Sequence, residues 1–506
     1  MLFNRVDKYD LLQGTMGGYR CCSATYVNVF ARLTEIYFPE ADVMIYFRGI
    51  TYFLQNSNFS LSCGGEKEMV YAKLEKWLER YNENGYLNGT LLIAAEDKIL
   101  VNSGFGMANW EHQVPNSAST KFRIGSLSKA FTALSIFQLH EQGKLNIDDF
   151  IGKYLSGYPN GDKITIYHGL TNTSGIPNYT SFPDFWSTTM RLPKTLDEII
   201  DHFKNLPLNF EPGSKFEYSN SGYALLTAII EKVSDKPYAE YIRENICLPL
   251  GMQNTGCDDG INIVSNLVSG YSYWEKPIHA PYADLTFPLG AYGLYSTTED
   301  LFLWDQALRS SRLLGKESTE KMFTAYKNDY ACGWIISKIM GRKCSHHFGD
   351  ISGYVSEFFR FADAGITIIF LSNMNVTPVT HLTNEIAKIM FAHDVILPAS
   401  LANPIPFAEK ELLQGKYEIE GKGECLDISM QHDDLYLTVS KMYGALYKFK
   451  LVPIRRTQNN VTFQTEMIDE QLIFHFSSSG KVEFVEYKDY HHNKYIANKK
   501  QFQISG

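Results

Sequence analysis

Three short patterns in this chain carry residue types that together can acylate and deacylate a serine: Ser126-Leu127-Ser128-Lys129, Tyr218-Ser219-Asn220 and His347-Phe348-Gly349. A serine hydroxyl is a poor nucleophile until a base takes its proton. Residues i and i+3 share a helix face, so a helix starting at Ser126 brings the Lys129 amine to the Ser126 hydroxyl. It also turns free N–H groups and the positive end of the helix toward the reacting centre. Lysine acts as a base only when neutral, which requires burial or a neighbouring positive charge. Ser128 would face elsewhere on such a helix. Tyr218 stands just ahead of a second helical run, placed to pass a proton to a leaving group and to activate the deacylating water. Asn220 can offer its amide to a substrate backbone, or cap the helix. Gly349 permits close backbone approach at a strand edge. The backbone N–H groups of Asp350 and Ser126 would then form an oxyanion hole, with His347 a donor or cation lining the pocket. Each pattern alone has a bland counterpart: a surface Ser–Lys pair, a core tyrosine, a structural histidine. Their combination points to acyl transfer.

The surrounding elements must position these groups. Val70 to Asn82, with Leu74, Trp77, Leu78 and Tyr81, has the spacing of an amphipathic helix. Gly89 to Ala95 and Lys98 to Val101 flank Glu96-Asp97 as a hairpin. A helix follows Ser126, carrying Phe131, Leu134 and Leu139, and stops at Gly143. Another runs from about Gly222 to Val233. Gly365 to Leu371 reads as a buried strand. This predicts an α+β body with an antiparallel sheet over residues 69–397. Pro398 to Pro406 is a proline-punctuated linker. From 407 to 506, short alternating strands such as Leu435/Leu437/Val439 and Leu472/Phe474/Phe476 predict an up-and-down β-barrel of about eight strands.

Composition narrows the function classes. The 506 residues are 44% hydrophobic with net charge -9 and no basic stripe, which argues against a nucleic-acid partner. The eight cysteines are scattered without C-x-x-C or zinc spacing, as expected of thiols in a reducing compartment. No apolar run is long enough to span a membrane. Met1 to Arg20 lacks the pattern of a secretory signal, so a cytoplasmic protein is expected. Residues 1–68 show no clear period. Gly64-Gly65-Glu66, read as purine-rich codons, resembles a ribosome-binding site ahead of Met69. One expectation is therefore a native start at Met69; the other is a genuine N-terminal extension. No G-x-S-x-G, H-E-x-x-H, P-loop or dinucleotide turn is present. Neither a metal nor an organic cofactor is expected.

The ordered motifs resemble those of the serine β-lactamase-related superfamily, which includes class C β-lactamases, D-Ala-D-Ala carboxypeptidases, D-aminopeptidases and related esterases. The resemblance spans roughly Leu74 to Phe391. It rests on Phe122 to Lys129 (FRIGSLSK), Leu170 to Pro177 (LTNTSGIP), Phe216 to Leu226 (FEYSNSGYALL), Leu248 to Met252 (LPLGM), Gly293 to Thr297 (GLYST) and His347 to Ser356 (HFGDISGYVS). It implies a β-lactamase/transpeptidase-like body: an antiparallel sheet flanked by helices, plus a helical part, with the site between them. It further implies an acyl-Ser126 intermediate, with Lys129 and Tyr218 shuttling protons, and Asn220, His347, Gly349 and Asp350 about the substrate and oxyanion. The C-terminal segment is similar in style to the lipocalin-like barrel appended to some members. Two departures stand out. Class C β-lactamases carry Lys where this chain has His347, and Phe348 cannot hydrogen-bond a substrate carboxylate. Asn172 stands where the family often has His. The expected function is hydrolysis of an ester or amide in a small molecule or short peptide, such as a D-amino-acid peptide, with β-lactams as slow substrates. A β-lactamase proper and a non-catalytic peptide-binding module are the alternatives, and the oligomeric state is open.

Overall fold

The computed structural model describes residues 65–441 and 444–500. The reading of the segment before Gly65, with Cys21, Cys22 and Cys63, lies outside the described residues. The other five cysteines are free thiols.

A six-stranded antiparallel sheet forms the centre of the body. Its strands are β1 (Gly89–Ala95), β2 (Lys98–Phe105), β3 (Ile335–Ile339), β4 (Arg342–Ile351), β5 (Tyr354–Phe361) and β6 (Ile366–Ser372), in spatial order β3-β4-β5-β6-β1-β2. The β1–β2 hairpin turns at Glu96 and Asp97, both with positive φ (51° and 62°), as a tight two-residue turn requires. All seven residues of β6 are buried, so the run ITIIFLS reads as apolar throughout because both its faces are covered.

Helices cover both faces. One layer holds α1 (Gly65–Glu83), which starts earlier than the apolar spacing predicts; the other is built on α2 (Ser128–Glu141), α3 (Asn220–Ser234) and α4 (Thr298–Arg309). The last helix, α5 (Val379–Met390), joins the first layer. Leu74, Trp77, Leu78 and Tyr81 of α1 pack with Leu382 and Ile386 of α5 against Leu91, Ile93, Phe359 and Ile368. The alternate sheet residues Leu92, Ala94, Phe358 and Ile369 meet Phe131, Leu134 and Trp304 on the opposite face. The period-two alternation of each strand thus feeds two separate cores.

Eight further strands close into a barrel: β7 (Gly415–Ile419), β8 (Cys425–Gln431), β9 (Asp434–Ser440), β10 (Leu446–Arg456), β11 (Asn460–Thr465), β12 (Gln471–Phe476), β13 (Val482–Lys488) and β14 (Lys494–Lys499). Each pairs antiparallel with the next, and β14 returns to β7 through Tyr417↔Lys499, leaving no open edge. The interior is filled by alternate residues such as Leu437, Phe449, Phe463 and Phe474.

The body and the barrel are tied at several points. Tyr86 donates its hydroxyl to the Thr465 carbonyl at 2.9 Å, and Gln464 donates to the Tyr86 oxygen at 3.2 Å. A hairpin over residues 271–279 leaves the body to pair with β10, with the Glu275 N–H on the Lys448 carbonyl at 2.8 Å. Tyr271, Tyr273, Met374 and Val376 complete the barrel's own core cluster. The segment 398–406 is strapped down: Arg80 and Asn84 donate to the carbonyls of Pro398 and Ala399 at 2.8 and 2.7 Å. A chain ended after residue 403 would expose those four apolar side chains to water. It is expected to show a several-fold loss of soluble yield and increased binding of a hydrophobic dye. Wild-type solubility without dye binding would show that the body needs no cover.

Candidate functional site

The nucleophile segment is held by a small sheet. Phe122 and Arg123 pair with Tyr295 and Ser296, and the Ile124 N–H donates to the Leu294 carbonyl at 2.9 Å. Ser126 then falls in a single 3-10 turn, Gly125–Leu127, and the α-helix proper begins at Ser128. The expected helix start at Ser126 is thus displaced by two residues. Gly125 has φ of +51°, in the left-handed region, so a right-handed α-helix cannot run through it, and the turn that follows is 3-10. The consequence for the pair survives: the Lys129 Nζ stands 3.1 Å from the Ser126 Oγ. Ser128 plays no part in this pair. Its hydroxyl donates to the Gly125 carbonyl at 2.7 Å and accepts the Leu294 N–H at 3.1 Å, which locks the turn to the small sheet.

Lys129 is fully buried, and burial lowers its pKa well below the ordinary value of 10.5. Its amine also stands 2.7 Å from two strong acceptors, the Asn220 Oδ1 and the Ala291 carbonyl. Among the described residues, no carboxylate is paired with it. Tyr218 donates its hydroxyl to the Ser126 Oγ at 2.8 Å, and its ring lies 4.8 Å from the Lys129 nitrogen. The three groups expected from the first two motifs therefore meet at one oxygen.

The Tyr218 segment hangs from the loop at 172–176. Asn172 has φ of +54°, a conformation that asparagine tolerates better than most residues. Its carbonyl accepts the Glu217 N–H at 2.9 Å and its Oδ1 accepts the Ser219 N–H at 3.1 Å, which gives this residue a positioning task. Ser219, not Asn220, is the N-cap of α3, and the helix has no side-chain capping bond. The capping reading of Asn220 therefore gives way. Its amide oxygen is committed to Lys129, and its nitrogen donates to Thr180 Oγ1 at 2.9 Å.

His347 is buried in β4, and its role as a cation is also revised. Burial, with the Lys129 amine as second cause, lowers its pKa to about 3. The Nδ1 lies 2.6 Å from the Phe348 carbonyl and the Nε2 lies 3.2 Å from the Tyr330 hydroxyl. A carbonyl can only accept, so Nδ1 carries the proton and Tyr330 donates to Nε2. The imidazole is neutral with both nitrogens engaged. Tyr330 was not signalled by any motif; it is brought in by the fold, stacking its edge against His347 and close to Tyr218. Ala291 was equally illegible, because its contribution is a backbone carbonyl.

Gly349 and Gly125 together bring two backbones into contact. A Cβ on Gly349 would stand 2.1 Å from the Ile124 carbonyl oxygen, and one on Gly125 would stand 2.5 Å from the Asp350 nitrogen. The Asp350 amide is thereby set beside the nucleophile turn. The pairing of β4 with β3 ends at His346, leaving the edge from His347 onward facing the cavity. The cavity has a volume of about 460 Å³ and is lined by Ser126, Tyr218, Asn220, His347, Phe348 and Asp350, with Trp186 and Asp284 among its other walls.

A family model described as Beta-lactamase matches residues 74–389. The chain belongs to the beta-lactamase family, a family of serine hydrolases. It is 30% identical over 454 residues to penicillin-binding protein 4* of Bacillus subtilis, covering 82% of this chain and 96% of that protein. It is also 24% identical to the teichoic acid D-alanine hydrolase of Staphylococcus aureus, over 64% of this chain and 79% of the relative. Among solved structures, an octameric penicillin-binding protein homologue from Pyrococcus abyssi aligns with a TM-score of 0.58 at 24% identity, covering 85% of this chain and all of that one. A D-amino acid amidase from Ochrobactrum anthropi aligns with a TM-score of 0.56 at 21% identity, over 65% and 99% of the two chains. These two structures support the fold. Among the described residues, no helix is long and apolar enough to cross a membrane.

Two measurements probe this geometry. Gly349→Ala forces β4 away from Ile124 and is expected to cost about 1–3 kcal/mol of stability, together with most of the activity; an unchanged melting temperature would refute the close approach. The second concerns pH. The unfolded chain protonates His347 near 6.5, whereas the folded one stays neutral down to about 3, so stability falls as pH drops from 6.5. Asp350, whose pKa burial raises to about 6 from 3.8, acts with the opposite sign between those two values. In urea titrations from pH 7 to 5, His347→Gln should therefore lose stability less steeply than the wild type.

Proposed function

We propose that the protein is a serine hydrolase that cleaves an ester or amide through an acyl-Ser126 intermediate. The observation that carries this reading is the environment of Lys129. A neutral amine has two hydrogens and one lone pair. Asn220 Oδ1 and the Ala291 carbonyl, both at 2.7 Å, accept the two hydrogens. The lone pair then faces Ser126 at 3.1 Å, as a base requires. Ser126 donates its proton to Lys129 while accepting the hydrogen of Tyr218, so a short relay runs through the nucleophile. As the leaving group departs, Tyr218 can deliver a proton to it and take up the one that Lys129 received from Ser126, and the same path run backward activates water for deacylation. The Ser126 and Asp350 amides would hold the developing oxyanion. Residues 69–397 would form the hydrolase body, and 407–506 the barrel domain.

The substrates expected are D-amino-acid peptides, amides or small esters. The similarity to a teichoic acid D-alanine hydrolase and to a D-amino acid amidase supports that class. Phe348, which offers no hydrogen bond to a carboxylate, and the neutral His347 weigh against a β-lactamase proper. β-Lactams would act as slow substrates or acylating ligands.

Intact-mass measurement after incubation with a penicillin or p-nitrophenyl acetate tests the nucleophile. An adduct on the wild type that disappears in Ser126→Ala is expected. Lys129→Met should slow its formation by about 10²–10⁴-fold, the usual range for loss of a general base. Labelling that persists in Ser126→Ala would reject the assignment, and no labelling by any acylating probe would favour a binding module. The acylation rate should also rise with pH and level off well below 10.5, the ordinary lysine value, because the base is the buried amine.

A further inference from the structure

The charges lining the cavity are one-sided. Its lining includes two carboxylates, Asp284 and Asp350, and no lysine or arginine. The two basic groups nearest Ser126 are both turned away from the charged form: burial lowers the Lys129 pKa well below its ordinary value and lowers that of His347, whose two nitrogens are engaged, to about 3. The two carboxylates also differ from each other. Asp284 is satisfied within its own loop: its Oδ1 accepts the N–H and the hydroxyl of Thr286 at 3.0 and 2.6 Å, and its Oδ2 accepts the Tyr282 hydroxyl at 3.3 Å. For the Asp350 carboxylate, no hydrogen bond or ion pair is present among the described residues, although burial is enough to push its pKa up to about 6. A partly buried carboxylate without a partner is costly, and a cation beside it recovers that cost.

The position of Asp350 states where such a cation would sit. Its own amide lies against the Gly125 turn, next to the nucleophile. Asp350 also lines the same cavity as Ser126, so a cation paired with it would sit within the site. The remaining walls nearby are apolar or neutral: Phe348, Ile351, Tyr292 and Met190. Tyr447 of the barrel approaches from the other side. Burial raises its pKa to about 12, with the charge of Asp350 as second cause.

Resting on the acyl-Ser126 reading, we infer that Asp350 selects acyl donors carrying a protonated primary amine on the carbon next to the scissile carbonyl. The amine would donate to the Asp350 carboxylate, a charge-assisted pair in a site with little competing water. A donor whose amine is capped, or replaced by a carboxylate, would leave Asp350 unpaired or repelled.

The experiment compares p-nitroanilides of alanine, N-acetylalanine and N-succinylalanine, in both configurations, with p-nitrophenyl acetate as an acyl donor that has neither amine nor charge. The expected order of kcat/KM is free amine over acetyl over succinyl, with at least about tenfold for the first step, as loss of one charge-assisted bond implies. In Asp350→Asn the ratio of free-amine to acetyl substrate should fall toward parity, whatever the absolute rate. Should that variant not fold, wild-type inhibition of p-nitrophenyl acetate hydrolysis by alaninamide, compared with N-acetylalaninamide, reads the same preference. Equal or better turnover of the acetyl or succinyl substrate, or an unchanged ratio in Asp350→Asn, would overturn the inference while Ser126-dependent ester hydrolysis still stood. Loss of Ser126-dependent hydrolysis of p-nitrophenyl acetate would instead sink the hydrolase reading, and this inference with it.

Discussion

The site depends on one unfavourable placement, a lysine amine taken entirely out of water. An ammonium buried without a counter-charge is among the most expensive groups a protein can hold, and the way out is to give up the proton. The fold makes that outcome workable by supplying exactly the partners a neutral amine can use. Asn220 comes from the first turn of α3 and Ala291 from the helical turn Leu289–Tyr292, while Ser126 precedes α2. Three segments distant in sequence must converge within hydrogen-bond reach of one nitrogen. Much of the helical layer can be understood as the support for that convergence: Thr132 donates to the Gly290 carbonyl at 2.7 Å, and a side chain on Gly290 would collide with Thr132 and Thr227.

The second constraint is backbone proximity. An oxyanion hole made of amides from two segments needs them closer than side chains allow, and Gly125 and Gly349 leave out the atoms that would intervene. Ser356 fixes the same contact from the next strand by donating to the Ile124 carbonyl at 2.9 Å. The halves of the site proposed to bind an anion and to supply a base would thus be set by different means. One relies on absent side chains, the other on a buried one. Neither asks His347 to carry charge, which explains how a histidine held neutral between a tyrosine and a carbonyl is compatible with the rest of the arrangement.

Legibility in the sequence followed the physics of each feature. The proximity of Ser126, Lys129 and Tyr218 and the close approach at Gly349 were readable because these residues fall in short motifs of fixed residue type. The barrel was readable because closure demands repeated two-residue alternation, although β7 and β14 carry too few apolar residues to announce themselves individually. Tyr330 was invisible: it is 17 positions from His347 and lies beside an ordinary turn, so only the folded sheet shows that it donates to the ring. Ala291 acts through a carbonyl that every residue possesses. Whether His347 is a neutral donor or a cation was not legible for a related reason. Residue type fixes what a histidine can be, and burial decides what it is. The helix start moved by two residues because the first turn is 3-10, a difference of backbone geometry that periodicity cannot report.

The barrel bears on the site through a continuous set of contacts and without lining the cavity around Ser126. The hairpin 271–279 pairs with β10 on one side and is fastened to the end of β6 on the other, where the Tyr271 N–H meets the Asn373 carbonyl at 2.8 Å. A Cβ on Gly353 would stand 2.7 Å from the backbone of Gly270 at its root, one on Gly270 would stand 2.6 Å from the Tyr354 ring, and Tyr354 donates to the Val268 carbonyl at 2.7 Å. Ser352 and Gly353 form the turn that directly follows Asp350 and Ile351. The position of the strand end carrying Asp350 is therefore fixed from two directions: by the nucleophile turn through Gly125, and by the barrel through the hairpin. An element added at the C-terminus can in this way set the boundary of a cleft it does not enter, because the strand it steadies is the one against which a substrate would lie.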